Sequence, residues 1–181
     1  MWIIILIVVV LVILYVISTY NGLVVARNKV KDQFSQIDVQ LKRRFDLIPN
    51  LVETVKGYAK HESETLEKVI QARNNYANAK TDSEKIEASN EMSRGVMNIM
   101  ALAENYPDLK ANTNFVDLQN QLKDVEDKIS YARQFYNDSV LMYNNKIEMF
   151  PSNLIASIFK FTKEAFFEAE EKERENVKVK F

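Results

Sequence analysis

The sequence predicts an all-α protein in which an antiparallel bundle of about four long helices follows a single N-terminal transmembrane helix. Three observations predict this class. Every residue from Trp2 to Ile17 is apolar. Further along, apolar residues recur at steps of three and four, the period of an amphipathic helix. Glycine and proline number only three each, which suits long helices with few turns.

The first segment, residues 1–26, is predicted to be a membrane anchor. No charged side chain occurs before Arg27, and about 20 apolar residues are enough to cross the hydrocarbon layer. A cleaved signal peptide fits less well, because a charged N-terminal region and a small-residue cleavage site are missing. Arg27, Lys29 and Lys31 follow the span. The positive-inside rule therefore places the short N-terminus outside and the C-terminal domain in the cytoplasm.

The second segment, residues 27–149, carries the helical stripes of the bundle. Ile37, Leu41 and Ile48 lie on one helix face. No strong breaker separates this stripe from the anchor, so one continuous helix is an open interpretation. Pro49 is expected to interrupt that helix, because proline has no amide N–H and restricts the residue before it.

Two further helix starts are predicted from capping residues. Thr81 and Glu84 form a capping-box pattern, and Asn114 is the predicted cap of the last long helix. Along that last helix, apolar residues alternate steps of three and four, as in a coiled-coil seam: Phe115, Leu118, Leu122, Val125, Ile129, Ala132 and Tyr136. Pro151 is expected to end it.

Composition and motifs argue against an enzyme, a metal site or a cofactor site. The absence of cysteine excludes disulfides, thiolate ligands and cysteine nucleophiles. His61 is the only histidine, no HExxH motif accompanies it, and we expect it to be exposed at a helix end. The three isolated glycines build no phosphate cradle. A net charge of −1 argues against a nucleic-acid partner.

Six polar or helix-breaking residues of one stretch are candidates for a structural or partner-binding role: Gln40, Arg43, Arg44, Asp46, Pro49 and Asn50. Arg44 projects into the apolar stripe and Gln40 lies at its edge. A charge in that position is costly unless it is paired or reaches water. Arg44 therefore either joins a polar network that sets the bundle register, binds an acidic group of a partner, or extends its guanidinium to solvent.

The third segment, residues 150–181, is predicted to be an amphipathic C-terminal helix followed by a charged tail. Its apolar side covers about half a helical wheel through Phe166. The segment caps the bundle, lies in the membrane interface or holds a partner. The membrane-contact candidates are Leu154, Ile155, Ile158, Phe159 and Phe166.

The stretch around Pro49 closely resembles the signature of the LemA family of bacterial membrane-anchored helical proteins. The resemblance is most specific at Gln40, Leu41, Arg43, Arg44, Asp46, Ile48, Pro49 and Asn50. It continues more weakly through Glu104–Asn112 and Phe150–Ala156. It implies an anchored helical bundle and supplies no catalytic residues, because the family has no agreed biochemical activity.

The leading functional hypothesis is a non-enzymatic scaffold or adaptor at the bacterial plasma membrane. It would contact the bilayer through residues 2–26 and present helix faces to membrane or cytoplasmic proteins, or to copies of itself. The rival hypothesis is a lipid-binding or membrane-remodelling protein that uses the amphipathic segment 150–167.

Overall fold

The computed structural model describes residues 1–167 of the chain, and within that range it contains α-helices and no β-strand. This confirms the predicted all-α class. Four of the helices are long, whereas α4 has four residues and α6 has seven. The charged tail predicted after residue 167 lies outside the described residues. The helices are α1 (Trp2–Lys56), α2 (Ser63–Asn78), α3 (Asp82–Ala103), α4 (Pro107–Lys110), α5 (Thr113–Glu148) and α6 (Ser152–Ile158).

Helix α1 runs without a break from the apolar N-terminus through Pro49 to Lys56. The first fifteen residues are all exposed, and Leu23 is the first fully covered side chain. By length and composition, α1 is the one described helix able to cross a membrane. Because α1 continues through Pro49, the predicted interruption at that residue is wrong.

Pro49 is tolerated because another helix satisfies the carbonyl group that proline leaves without a donor. In an α-helix the N–H of residue 49 would bond to the carbonyl of Phe45, and proline lacks that N–H. Arg73 of α2 donates its Nε–H to the Phe45 carbonyl oxygen at 3.1 Å. The Arg73 guanidinium also lies 3.8 Å from the centre of the Phe45 ring.

The described chain forms two compact units. The first consists of residues 1–36 and 132–166, and the second of residues 37–131 with Phe167. Helices α1 and α5 each contribute to both units.

In the second unit, α1 and α5 run antiparallel. Arg43 pairs with Asp124 at 3.3 Å. Just past the end of α1, the Tyr58 hydroxyl accepts from the side-chain amide of Asn112, which precedes α5, at 2.9 Å. Apolar side chains of α1, α2, α3 and α5 fill the space between the helices. The most deeply buried of these apolar side chains include Ile37, Leu41, Ile48, Leu51, Val55, Val69, Met92, Ile99, Phe115, Val125 and Ile129.

Helices α2 and α3 form a hairpin whose second arm starts at the predicted capping box. The Thr81 hydroxyl accepts from the Glu84 amide, and the Glu84 carboxylate accepts from the Thr81 amide, each at 3.2 Å. Gly95 allows close contact of the two arms, because a Cβ at this position would lie 2.9 Å from a methyl group of Val69.

Helix α5 begins earlier than predicted. Asn112, and not Asn114, is its cap, since the Asn112 side-chain oxygen accepts from the Phe115 amide at 3.0 Å. Every predicted seam residue except the partly covered Ala132 is buried.

In the first unit, the predicted helix over residues 154–166 ends after two turns, and this part of the prediction is wrong. Lys160 adopts a left-handed conformation with φ of 55°. The Phe161 amide bonds back to the Ala156 carbonyl at 2.9 Å, and the Lys160 amide to Ser157 at 3.2 Å. This is the Schellman pattern that closes a helix C-terminus.

Beyond this turn, polar side chains of α5 hold the chain away from a helical path. The Tyr143 hydroxyl donates to the Thr162 carbonyl at 3.0 Å. Asn144 donates to the carbonyl of Glu164 at 2.9 Å and accepts from its amide at 3.0 Å. These bonds satisfy backbone groups that a continued α6 would have paired internally.

Candidate functional site

The most deeply buried charge in the described chain belongs to Arg44 of α1, whose side chain is 1% exposed. One terminal nitrogen, Nη1, donates to the Ser93 hydroxyl at 2.7 Å and to the Ser89 carbonyl at 3.2 Å. The other, Nη2, pairs with the Glu126 carboxylate of α5. Arg44 therefore joins α1 to α3 and α5 within the second unit.

The contacts of Arg44 are those of a polar network between helices. The guanidinium does not reach solvent, and the acid that pairs with it comes from the same chain. A buried charge is tolerated only when a counter-charge and hydrogen bonds replace water, and Glu126, Ser89 and Ser93 provide these groups. The arrangement is that of a structural network that sets how three helices pack.

Arg43 and Asp46, the other charged candidates of this stretch, form surface ion pairs. Arg43 shares Asp124 with Lys128, which lies 2.8 Å from the same carboxylate oxygen. The hydrogen bond from Lys128, with the nearby positive charges, lowers the pKa of Asp124. Asp46 pairs with Lys42 one turn away at 2.6 Å.

The remaining candidates differ in their surroundings. Pro49 and Asn50 are exposed, and the Asn50 carbonyl accepts from the Thr54 hydroxyl at 2.7 Å. Gln40 is half-buried, and its side-chain oxygen is covered without a hydrogen-bond donor from the described residues. Leaving an acceptor unsatisfied in this way costs about 1–3 kcal/mol.

A second polar network, centred on Asp38, does not follow from sequence reasoning. The Asp38 carboxylate accepts from the Tyr76 hydroxyl at 2.9 Å and from the Lys85 ammonium at 3.0 Å. Burial, together with the Asp38 carboxylate, raises the pKa of Tyr76 well above its usual range. The two partners of Asp38 lie 38 and 47 residues away in the sequence, so local spacing gives no signal for this network.

A cleft with a volume of about 520 Å³ lies at one end of the α2–α3 hairpin. Its carboxylate Glu84 already serves the helix cap. Hydrogen bonds from the backbone amides of Lys80 and Thr81 lower the pKa of Glu84, which keeps it ionised. Polar side chains dominate the lining, including Asn75, Asn78, Lys80, Glu84, Glu87 and Glu91.

His61 lies exposed in the connection between α1 and α2, as predicted for a helix-end histidine. Among residues 1–167, no group of three histidine, cysteine, aspartate or glutamate side chains is close enough to hold a metal ion.

In the first unit, the membrane-contact candidates separate into two groups. Leu154, Ile158, Phe159 and Phe166 are exposed. Ile155 is 7% exposed and packs inside the protein, so its assignment as a membrane contact is wrong. The two faces of α6 are therefore distinct, with one covered by protein and the other open.

Comparisons with known proteins identify relatives over most of the chain. The LemA family model matches residues 33–181. Protein LemA of Metamycoplasma hominis is 30% identical over 160 residues, which cover 87% of this chain and 72% of that protein. The magnetosome proteins MamQ 1 and MamQ 2 of Paramagnetospirillum magneticum are each 30% identical over 70 residues, covering 39% of this chain and 26% of those proteins.

Proposed function

This chain belongs to the LemA family, and from that membership we propose that it is a non-enzymatic scaffold at a bacterial plasma membrane. The N-terminal helix anchors the chain in the bilayer. The remainder lies on the cytoplasmic side and presents helix faces to partner proteins or to further copies of itself.

The observation that carries this proposal is the continuity of α1. One uninterrupted helix contains both the lipid-compatible residues 2–17 and the buried stripe of Ile37, Leu41 and Ile48. No linker separates the membrane segment from the folded part of the chain. Such an arrangement suits a protein that holds partners at the membrane surface.

The engagement of the buried Arg44 and the partly exposed Asp38 supports a non-enzymatic role. Arg44 and Asp38 are both engaged by residues of other helices. These groups stabilise helix packing, whereas an active site needs titratable groups that face a cavity open to substrate.

The orientation is supported by the cations that follow the span. Lys29 and Lys31 are exposed, and Arg27 is partly covered. Positively charged residues near the end of a span are retained in the cytoplasm.

Topology is tested with single cysteines in this cysteine-free chain. Lys80→Cys places an exposed thiol in the connection between α2 and α3. A membrane-impermeant maleimide should label Lys80→Cys only after lysis. Labelling in intact cells contradicts the cytoplasmic placement.

The scaffold role is tested by site-specific photo-crosslinking in cells. A benzophenone amino acid at Val39 or Met97, which are both exposed, should give discrete protein adducts. The same amino acid at Val10, inside the span, is the control and should react with lipid. Absence of protein adducts from exposed positions on α1 and α3 argues against a scaffold.

Membrane remodelling by an amphipathic helix over residues 150–167 has less support. Helix α6 covers only Ser152–Ile158, and two turns present little apolar surface compared with the longer amphipathic helices that insert into membranes.

A further inference from the structure

The apolar run at the start of α1 gives way to polar residues around Tyr20, namely Ser18, Thr19 and Asn21. Residues 1–15 are all exposed, so the apolar side chains among them have no cover from the described protein, whereas Leu23 is 1% exposed. Between them, Val16 and Thr19 are partly covered, whereas Ile17 and Tyr20 are 52% and 37% exposed. Tyrosine is enriched at this depth, where a ring meets the headgroup layer and its hydroxyl meets water.

The segment that follows α6 packs against this point of α1. The ring centres of Phe159 and Phe161 lie 4.7 and 5.7 Å from that of Tyr20. About two helical turns beyond Tyr20 along α1, the Arg27 guanidinium lies 5.0 Å from the centre of the Phe161 ring. The first unit therefore brings its C-terminal segment to the level at which the span leaves the membrane.

A group of apolar side chains in and beside α6, including Phe159, remains exposed. We define the C-terminal apolar patch as Phe150, Leu154, Ile158 and Phe159. Phe150 and Ile158 are 78% and 70% exposed, although Ile155 and Ala156 of the same short helix are buried. The protein thus covers the Ile155 and Ala156 face of α6 and leaves Leu154 and Ile158 exposed.

Because Phe159 of this patch packs against Tyr20 of α1, we propose that the patch lies in the headgroup layer of the membrane that α1 crosses. The patch forms a second, interfacial contact of the chain with that bilayer. The proposal rests on the membrane anchoring proposed above and adds a contact that the anchor alone does not require.

The charges near the patch match this environment. Lys160 is exposed directly after Phe159, and Arg27 lies against Phe161. Apolar and aromatic side chains beside basic groups are the pattern of interfacial segments. A second copy of the chain or a protein partner is not required, since the bilayer already adjoins the patch at Tyr20.

The depth of the patch is measured on the full chain reconstituted in vesicles of phosphatidylcholine and phosphatidylglycerol. Ile158→Cys is labelled with an environment-sensitive fluorophore, and Leu154→Cys provides a second position. Lipids with a nitroxide on the upper acyl chain should quench both labels, and their emission should shift to the blue. Aqueous iodide should have little effect.

Phe135→Cys is the matched control. Phe135 is 60% exposed on α5 in the same unit, next to Tyr136, whose ring centre lies 5.7 Å from that of Phe34. Phe34 is about 20 Å beyond Tyr20 along α1, at 1.5 Å per residue. The Phe135→Cys label should therefore respond to iodide and not to nitroxide lipids.

A label at Val10→Cys separates failure of this proposal from failure of the anchor. If nitroxides deep in the acyl chain quench the Val10→Cys label while iodide quenches the labels at residues 154 and 158, the anchor is present and the interfacial contact is wrong. If the Val10→Cys label also escapes lipid quenching, the anchoring itself is wrong. Circular dichroism of each labelled chain checks that it remains helical.

Discussion

At the scale of single residues, the packing of α1 against α3 and α5 depends on the buried charge of Arg44 and on the Glu126 carboxylate that neutralises it. Its side chain is almost fully covered, while that of its partner Glu126 is 45% exposed. The two members of the pair are therefore unequal. Removing the acid leaves a buried cation, whereas removing the cation leaves an acid that water can still solvate.

We expect Glu126→Ala to lower the free energy of unfolding by roughly 2–4 kcal/mol, because Arg44 stays buried without its counter-charge. Arg44→Met should be tolerated better, since it removes the buried charge itself and keeps apolar volume. Urea unfolding in detergent micelles, followed by circular dichroism, measures both.

The matched control for this pair is Asp124→Ala, which removes an exposed acid two residues away on the same helix. Exposed ion pairs contribute little, so this variant should change stability far less than Glu126→Ala. Greater destabilisation by Arg44→Met than by Glu126→Ala would contradict the structural role assigned to the pair.

Tyr76 gives the fold a dependence on alkaline pH. Burial and the Asp38 carboxylate raise the pKa of Tyr76 above its usual value of 10.0, so folding favours the neutral phenol. This contribution is complete below pH 10 and is lost as the pH rises toward the raised pKa of the folded state.

Tyr76→Phe lacks the ionisable group, so its stability should decline less steeply above pH 10 than that of the unmodified chain. Thermal unfolding of both chains at several alkaline pH values gives the comparison. Parallel curves would show that the Tyr76 hydroxyl does not titrate differently in the folded and unfolded states.

At the scale of elements, α1 shows how a neighbouring helix overrides a local signal. Proline in a helix interior removes one hydrogen bond and crowds the carbonyl four residues earlier. In this protein Arg73 of α2 occupies that carbonyl. The continuity of α1 therefore depends on a side chain that lies 28 residues from Phe45 in the sequence.

A double-mutant cycle tests this dependence. Arg73→Met should cost about 1–2 kcal/mol, because it leaves the Phe45 carbonyl without a donor. In a Pro49→Ala background the restored backbone N–H replaces Arg73, so the same substitution should cost less. Equal costs in the two backgrounds, measured by urea unfolding, would contradict the compensation.

Helix α6 shows the opposite effect, since tertiary contacts shorten an element that the pattern extends. The apolar spacing from Leu154 to Phe166 is helical, but hydrogen bonds from Tyr143 and Asn144 hold the backbone after Lys160. The left-handed conformation of Lys160 costs about 1–2 kcal/mol for a residue other than glycine, and these bonds offset it.

At the scale of the whole molecule, membrane attachment depends on α1. A chain of residues 19–181, which keeps Tyr20, should remain helical but bind anionic vesicles only weakly. A single short interfacial segment gives marginal and reversible binding compared with a transmembrane helix. Co-sedimentation of this chain and the full chain, followed by an alkaline carbonate wash, tests the difference. Equal retention of both after the wash would contradict the anchoring role.

The sequence by itself determined the features that depend on local pattern. These are the apolar span, the helical class, the Thr81–Glu84 capping box, the buried seam of α5 and the family signature. Each is encoded within a few helical turns, where spacing alone decides which side chains share a face. The position of Arg44 within an apolar stripe was also predictable, and it pointed to a costly group that needed a partner.

Only the tertiary structure decided which residues provide those partners. Glu126 for Arg44, Tyr76 for Asp38 and Arg73 for the Phe45 carbonyl all come from other helices. The passage of α1 through Pro49 and the end of α6 at Ile158 also depend on such distant contacts. Local periodicity cannot identify these contacts. A backbone or side-chain group that its own helix leaves unsatisfied needs a donor or acceptor from elsewhere, and the packing of the helices decides which residue provides it.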